Sequence, residues 1–434
     1  MERKNIGVIG IGRIGEVHLC QLVQSGQVNV MYLVDIEPMH GKIRDLVKQY
    51  GLQNVKVSNT EEVTDMLSDK LNIINPLKES RNDNTLDSAK PGEWHEYFSE
   101  LNKSSESHSN RIHEIRSGVE KLEKVKQFCE LDFRISNKEI ANSVSKLKNG
   151  KASGLDGIPA EILDAVLICS PVFGKPHKKS DLVKFALQAG KHVFCEKPID
   201  LDPGVVEECY KLAENRGKTL QCGFDKRFDI SIRKMYDKIK ARDLGELRMI
   251  KLVARELPAW INAEYLKSSG GIFVDSAIHE LDLICWLSGE RPESAVCFGH
   301  AKSQMFKECN DVECAMIMLK FPSGLVGYIE NVRGVPYGYD QRFEVLGEKG
   351  MLCIENPSTT HLQLWNQDGR LLDTIEQHGL PRFYEAYRME KQHFIDVING
   401  KVSCEVLPDE VIFNSKLTRY CTKSLRTGTI VNIP

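Results

Sequence analysis

The chain has no Cys-x-x-Cys pair, no long apolar run, no internal repeat and no excess of charge of either sign. Each absence removes a class of protein. There are 13 cysteines, an odd number, and several sit inside apolar runs (Cys169, Cys195, Cys222, Cys285). The expectation is therefore buried thiols in a reducing, cytoplasmic compartment and no zinc site. No stretch reaches the roughly 18 apolar residues of a membrane helix, and the opening Met1-Glu-Arg-Lys reads as neither signal peptide nor span. Lys+Arg of 58 against Asp+Glu of 61 leaves −3, which argues against nucleic-acid binding driven by whole-chain charge and against disorder. What remains is 434 residues, 41% of them hydrophobic, an ordinary globular composition with room for about three domain-sized units.

Strand and helix patterns alternate from the start. Residues 5–10 read as a short buried strand, the helical pattern Val17, Leu19, Leu22, Val23 follows, and a second strand over Val28–Val34 ends at Asp35. Met39–Tyr50 has helical spacing, Val55–Val57 is a small strand, and Thr60 is placed to cap a further helix. The alternation stops between Leu71 and Leu163, where the text is polar, with helix-like pieces at 94–101, 112–128 and 137–147. It resumes with strands at 164–169, 192–195 and 219–222 and helices at 180–189 and 203–215. Six short strands separated by helices predict a doubly wound parallel sheet. After Gly223 the spacing predicts helices over 230–240, 273–287 and 382–398 among alternating runs at 247–252, 314–321, 325–332, 343–346 and 362–365. That is an α+β domain with a mostly antiparallel sheet.

Gly10-Ile-Gly12-Arg13-Ile14-Gly15 lies between the first strand and its helix, and Asp35 ends the next strand. In that context the glycines have separate tasks: Gly10 for the turn, Gly12 for close approach of a pyrophosphate, Gly15 for helix-to-strand packing, with phosphates at the helix N-terminus. Asp35 would accept hydrogen bonds from the adenosine ribose and repel a 2′-phosphate, favouring NAD over NADP. The alternative is a plain turn beside a solvated aspartate.

Two further motifs carry proton chemistry. Glu196-Lys197-Pro198 ends the fifth strand, where open α/β sheets hold ligands; read alone, it is equally a turn with a surface lysine. In Gly270-Gly271-Ile-Phe-Val-Asp275-Ser-Ala-Ile-His279, a helix starting near Val274 would put Asp275 and His279 on one face, so carboxylate and imidazole could touch. A histidine so oriented suits proton transfer near neutral pH. The alternative is Asp275 as a helix cap and His279 as a core residue.

With the fingerprint, these motifs resemble the glucose-fructose oxidoreductase and inositol dehydrogenase (Gfo/Idh/MocA) family, most closely its inositol 2-dehydrogenase members. The resemblance runs from Lys4 to about Asp69 and from Asp164 to the C-terminus. It includes Phe194-Cys-Glu-Lys-Pro-Ile199, Gly223-Phe-Asp-Lys-Arg-Phe-Asp229, Tyr337-Gly-Tyr-Asp-Gln-Arg-Phe-Glu-Val-Leu-Gly347 and Arg382-Phe-Tyr-Glu-Ala-Tyr387. It implies an NAD-dependent oxidation of a ring hydroxyl of myo-inositol or a related cyclitol or sugar; the alternatives are another sugar or dihydrodiol dehydrogenase of the same family, or a catalytically impaired NAD-binding protein. Lys197, after which Pro198 follows a cis peptide, would contact the hydroxyl; His279 would be the general base; Asp275 would hold and charge-balance it. Tyr337, Tyr339, Asp225 and Lys226 would line the polyol site, and Gly10, Gly12, Arg13, Ile14, Gly15, Asp35, Ser170 and Glu196 the cofactor site. It further implies a homo-oligomer formed through the C-terminal sheet, with neither nucleic acid nor membrane as partner. The chain departs from the family in having Asp225-Lys226 where Asn-Arg or Met-Arg is common, and in a longer loop at 170–177.

The domains expected are therefore an NAD-binding domain over 1–70 and 164–222, an insertion over 71–163, and a substrate and oligomerisation domain over 223–434. The insertion ends in Phe133–Leu163, a string similar to the N-terminal part of reverse transcriptases of LINE-type retrotransposons. It has none of the paired aspartates polymerisation needs, and its acidic and basic residues balance. It reads as a mobile-element fragment captured in frame, partly disordered, or as an error in the gene model. Its loop-closure cost, from about 3 to about 93 residues, is roughly 3 kcal/mol, which a domain can survive.

Overall fold

The computed structural model describes residues 3–35, 40–52, 55–58, 163–171, 178–257, 261–367 and 369–434. The helix expected at Thr60, the three helix-like pieces between 94 and 147 and most of the 170–177 loop lie outside the described residues. By its contacts the chain divides into Met1–Thr64 with Ala152–Pro434, and Asp65–Lys151.

The N-terminal half of the first unit is a parallel sheet. In chain order the elements are β1 (Lys4–Ile9), α1 (Arg13–Ser25), β2 (Val28–Val34), α2 (His40–Gln49), β3 (Lys56–Ser58), β4 (Ala165–Ile168), α3 (Lys179–Gln188), β5 (His192–Glu196), α4 (Pro203–Asn215) and β6 (Leu220–Gly223). The strands lie in the order β3-β2-β1-β4-β5-β6, every neighbouring pair parallel. Strands covered on both faces must be apolar throughout, and β4 and β6 are buried at every residue. The strand order reverses between β1 and β4, so the loops at their carboxyl ends diverge and open a crevice. Leu19 and Leu22 of α1 and Ile43 and Leu46 of α2 pack onto Ile6, Val8, Leu33, Leu167 and Phe194, each fully buried side chain contributing about 1.5–3 kcal/mol. Local chemistry agrees: Asp202 caps α4 by accepting from Gly204 N at 2.8 Å, with Pro203 as first residue.

The C-terminal half starts with a turn of 3₁₀ helix (Asp225–Phe228), α5 (Ile230–Lys240), β7 (Leu247–Glu256), α6 (Ala263–Ser269), α7 (Ile272–Asp275) and α8 (Ile278–Ser288). It continues with β8 (Ser294–His300), α9 (Gln304–Glu308), β9 (Cys314–Lys320), β10 (Val326–Arg333), β11 (Asp340–Gly347), β12 (Met351–Ile354) and the hairpin β13 (Gln363–Asn366) and β14 (Gly369–Leu372). It closes with α10 (Gly379–Arg382), α11 (Tyr384–Ile398), α12 (Pro408–Thr427) and β15 (Val431–Asn432). A seven-stranded sheet, β12-β11-β7-β10-β9-β8-β15, is antiparallel except where β10 pairs β7. Along β9, Ala315, Ile317 and Leu319 face inward while Met316 and Met318 are exposed, the period-2 alternation of a sheet covered on one side. Leu281 and Ile284 of α8 and Leu417 and Cys421 of α12 fill the inner face.

Three details differ from the sequence expectations. The single helix expected over 273–287 is two, because Ser276 and Ala277 form a turn between α7 and α8. The strand β8 and the 20-residue α12 carried no clear pattern; α12 buries Asn414, Ser415, Thr418 and Ser424, so its inner face is too polar to register as an apolar stripe. And α11 belongs as much to the first sheet as to the second: Phe394 and Ile395 enter the N-terminal core, and Gln21 Nε2 donates to the Tyr384 carbonyl at 2.9 Å.

Candidate functional site

The crevice end of β1 shows how a dinucleotide would be held. Gly10 has φ +86°, and a Cβ there would meet Ser170 N at 2.6 Å; a Cβ on Gly15 would fall 1.8 Å from Gly10 O. Side chains are thus barred at both positions by backbone. At Gly12 a Cβ would meet nothing within 4 Å, and α1 starts there without a side-chain cap. This leaves an open cradle at a helix N-terminus, the place where phosphates bind, so the residues present fit a dinucleotide. Ile14 sits in the first turn of α1; of Arg13 only the backbone is described. Asp35, at the end of β2, accepts from Ile11 N at 2.5 Å, which pins the glycine loop against the next strand.

Glu196 ends β5 inside the sheet. Its Oε1 accepts from His18 Nε2 at 2.6 Å, and although burial alone would raise its carboxyl, His18, Lys391 and Lys179 hold it down at about 2. Burial, with Lys391 nearby, lowers His18 to about 4, so a neutral imidazole donates to a carboxylate. Lys179, itself buried, donates to the carbonyls of Glu196 at 3.1 Å and Lys197 at 3.4 Å. The turn carrying Lys197 is thereby clamped from α3. The Lys197–Pro198 peptide is cis.

Lys197 points to the corner between α7 and α8: Nζ donates to the Asp275 carbonyl at 2.5 Å and lies 3.9 Å from Asp275 Oδ1. Here the structure corrects the sequence reading, because Asp275 does not hold His279. The break at Ser276–Ala277 takes them off a common helical face. The Asp275 carboxylate instead accepts from Tyr265 Oη at 2.5 Å and is paired with Arg333, a fully buried guanidinium that also reaches Asp311 at 3.1 Å. The carboxylate beside His279 is Asp225, with Oδ1 3.5 Å from Nδ1. Burial, with Lys197 and Lys226 nearby, lowers His279 well below its ordinary value, so the ring is neutral and able to accept a proton.

The remaining expected residues divide. Tyr339 packs edge-on against Phe383, 6.1 Å between centroids, and burial, with Glu256, Glu280 and Asp225 nearby, pushes its phenol up; it belongs to the same acidic hollow. Tyr337 is 46% exposed, its hydroxyl fixed between Arg255 at 2.7 Å and Asp340 at 2.9 Å, and it makes no polar contact with Lys197, Asp275 or His279. Lys226 is buried, ion-paired with Glu280 and donating to Gln341 Oε1 at 2.6 Å, so its charge is already matched inside the protein. Ser170 supplies backbone over Gly10. Lys179, Tyr265 and Arg333 carried no signal in sequence, since each acts on a residue outside its own element, 17, 10 and 58 positions away respectively.

Comparison with known proteins places this site in a family. Residues 106–224 match the oxidoreductase family, NAD-binding Rossmann fold, and residues 232–353 match the GFO/IDH/MocA C-terminal domain. The chain is 34% identical over 249 residues to an inositol 2-dehydrogenase of Rhizobium meliloti strain 1021, 56% of this chain and 73% of that one. It is 32% identical over 273 residues to the scyllo-inositol 2-dehydrogenase (NAD(+)) of Bacillus subtilis strain 168, 62% and 78% respectively. A solved myo-inositol 2-dehydrogenase of Lactobacillus plantarum superposes with a TM-score of 0.71 at 20% identity, covering 100% of both chains. The chain belongs to the GFO/IDH/MocA oxidoreductase family. It is an NAD-dependent dehydrogenase of that family, with a parallel nucleotide-binding sheet and a mostly antiparallel C-terminal sheet.

Proposed function

We propose that this dehydrogenase oxidises a ring hydroxyl of myo-inositol or a closely related cyclitol to the ketone. The observation that carries the reading is the meeting of Lys197, fixed on the Asp275 carbonyl, with a neutral His279 at the carboxyl end of the parallel sheet. Two relatives at 34% and 32% identity, both inositol dehydrogenases by name, support the substrate class. Bound NAD supplies the hydride acceptor. Gly10, Gly12, Arg13, Ile14, Gly15, Asp35, Ser170 and Glu196 would hold it. Lys197 donates to the reacting hydroxyl and lowers the cost of its charge, His279 takes the hydroxyl proton, and Asp275 holds Lys197 in place. Tyr339, Tyr337, Asp225 and Lys226 shape the polyol hollow. A panel of cyclitols and sugars with NAD, read by absorbance of the reduced cofactor, tests this; turnover of sugars alone, or of nothing, overturns it.

The domain assignment we adopt is a nucleotide domain over 1–70 and 164–222, an insertion of retrotransposon type over 71–163, and a substrate domain over 223–434. We place the protein in the cytoplasm, where the free cysteines among the described residues would stay reduced. It assembles through the outer face of the C-terminal sheet. Phe298 lies opposite Met316 across β8 and β9, with Met318 of β9, Met249 of β7 and Met351 of β12 also exposed, an apolar surface of the kind oligomers cover. Sedimentation as a monomer at micromolar concentration would refute the assembly.

A further inference from the structure

Asp225 and His279 reach the hollow from different elements, the 3₁₀ turn after β6 and the first turn of α8. Asp225 is 3% exposed. Its Oδ1 is 3.5 Å from His279 Nδ1, a buried nitrogen that makes no hydrogen bond in this structure and has this carboxylate as its ion-pair neighbour. The edge of the His279 ring is closed by Phe224, 6.2 Å between centroids and nearly perpendicular. Asp275 cannot serve this nitrogen, being taken up by Arg333 and Tyr265.

We propose that Asp225 is the positioning carboxylate of His279. It selects the tautomer with the proton on Nδ1, leaving Nε2 as the accepting nitrogen, and it matches the charge of the imidazolium formed when the substrate hydroxyl gives up its proton. The inference rests on the dehydrogenase reading above. In the step, the O–H proton goes to Nε2, the C–H bond leaves with its electron pair as hydride to NAD, the carbon–oxygen double bond forms, and the proton on Nε2 later passes to water. Throughout, Asp225 keeps its charge.

That charge changes within the working range of pH. Burial holds the Asp225 carboxyl up at about 7, against the pull of Lys226, Lys391 and Lys197 and with the push of Glu196. The groups facing it are Lys226 in its own turn, Glu196 at the end of β5 and Lys197 just after it, His279 in α8, Tyr339 beyond β10, and Tyr387, Glu390 and Lys391 in α11. With His279 neutral well below this pH, the acid limb of turnover belongs to Asp225: activity rises as pH passes upward through about 7 and the carboxylate forms.

The test is the pH profile of kcat for the wild type and for Asp225→Asn, with NAD affinity measured in parallel. We expect an acid limb near pH 7 in the wild type and its loss in the variant, with kcat at pH 8 lowered about 10- to 100-fold and NAD affinity kept. Absence of the limb in the wild type, or its survival in Asp225→Asn whatever kcat does, overturns the proposal. A second readout needs neither turnover nor the variant. In the wild type, ¹⁵N-labelled histidine spectra, with His279 assigned by His279→Gln, should show the Nδ1–H tautomer and a shift step near pH 7. The Nε2–H tautomer refutes the role of Asp225, while failure of the polyol panel with the Nδ1–H tautomer present counts only against the substrate reading.

Discussion

Lys197 Nζ donates to the backbone carbonyl of Asp275 at 2.5 Å, joining the turn after β5 to the corner between α7 and α8. The contact sets the lysine by a main-chain atom, so it survives changes of the Asp275 side chain. Lys197→Ala and His279→Ala are each expected to lower kcat by about 10²- to 10⁴-fold while NAD affinity stays within about threefold, because proton removal takes place away from the phosphate anchors. Steady-state kinetics with a parallel NAD titration checks this, and near-normal turnover in either variant removes its residue from the mechanism.

The glycines of the loop should separate fold from cofactor. A methyl on Gly15 would fall 1.8 Å from a main-chain oxygen, whereas at Gly12 it would meet open space. Gly15→Ala is therefore expected to lower the melting temperature and abolish NAD binding together. Gly12→Ala should melt like the wild type and yet bind NAD at least about tenfold more weakly, since the pyrophosphate needs that space. Equal melting temperatures for the two variants would contradict this division.

Asp35 should decide between cofactors. Each hydrogen bond from a ribose hydroxyl to a carboxylate contributes about 1.5–3 kcal/mol, and the same charge repels a 2′-phosphate. Asp35→Ala is expected to shrink the preference for NAD over NADP by at least about tenfold, measured as the ratio of the two dissociation constants. An unmutated protein with equal affinities would remove the residue from this role. The variant also deprives Ile11 N of its acceptor, so some loss of NAD affinity should accompany the change.

The sheet was legible because local rules and the global fold agree. Strands buried on both faces must read as apolar runs, and Gly10 to Gly15 announce their turn by glycine alone. Local signals also singled out Lys197 and His279 as candidates, and the fold sets the lysine's charge near the imidazole. What they could not supply is pairing over distance. Asp275 and His279 are four apart in sequence, but two residues of turn separate them in the fold, and the true neighbour of His279 stands 54 positions earlier, at Asp225. Arg333 and Lys179 were invisible for the same reason: nothing in a strand-ending arginine or a helix-opening lysine says which carboxylate or carbonyl it will meet. The helix over Pro408–Thr427 stayed hidden because its buried side includes Asn414, whose amide donates to Ile278 O at 3.0 Å, rather than an aliphatic side chain.

Lys226 should behave as part of the interior. It is buried against Glu280 and Gln341, so Lys226→Met leaves Glu280, among the described residues, with Asn331 as its hydrogen-bond partner, 3.1 Å away. Removing one partner of a buried pair typically costs about 3–5 kcal/mol. A lower denaturant midpoint is expected for Lys226→Met, largely recovered in Lys226→Met with Glu280→Gln, where no unpaired charge remains. If the double variant were no more stable than the single one, the pair would not be the cause.

Excision of residues 71–163, joining Lys70 to Asp164, is expected to leave an active and more stable enzyme. Strand β4 is fixed at its start independently of what precedes it: Asp164 N donates to Asn5 O at 2.8 Å, and Asn5 N to Asp164 Oδ2 at 2.9 Å. Helix-to-strand connections in such sheets lie at the amino ends of the strands, opposite the crevice, and every candidate site residue lies outside the excised stretch. Shortening the connection removes a loop-closure cost of roughly 3 kcal/mol, which for a unit of this size should raise the melting temperature by several degrees. Differential scanning calorimetry and the cyclitol assay on both chains check the two halves of the expectation. A shortened chain that fails to fold, beside a full-length one that is stable and active, would make residues 71–163 an integral part of the nucleotide domain and end their reading as an insertion.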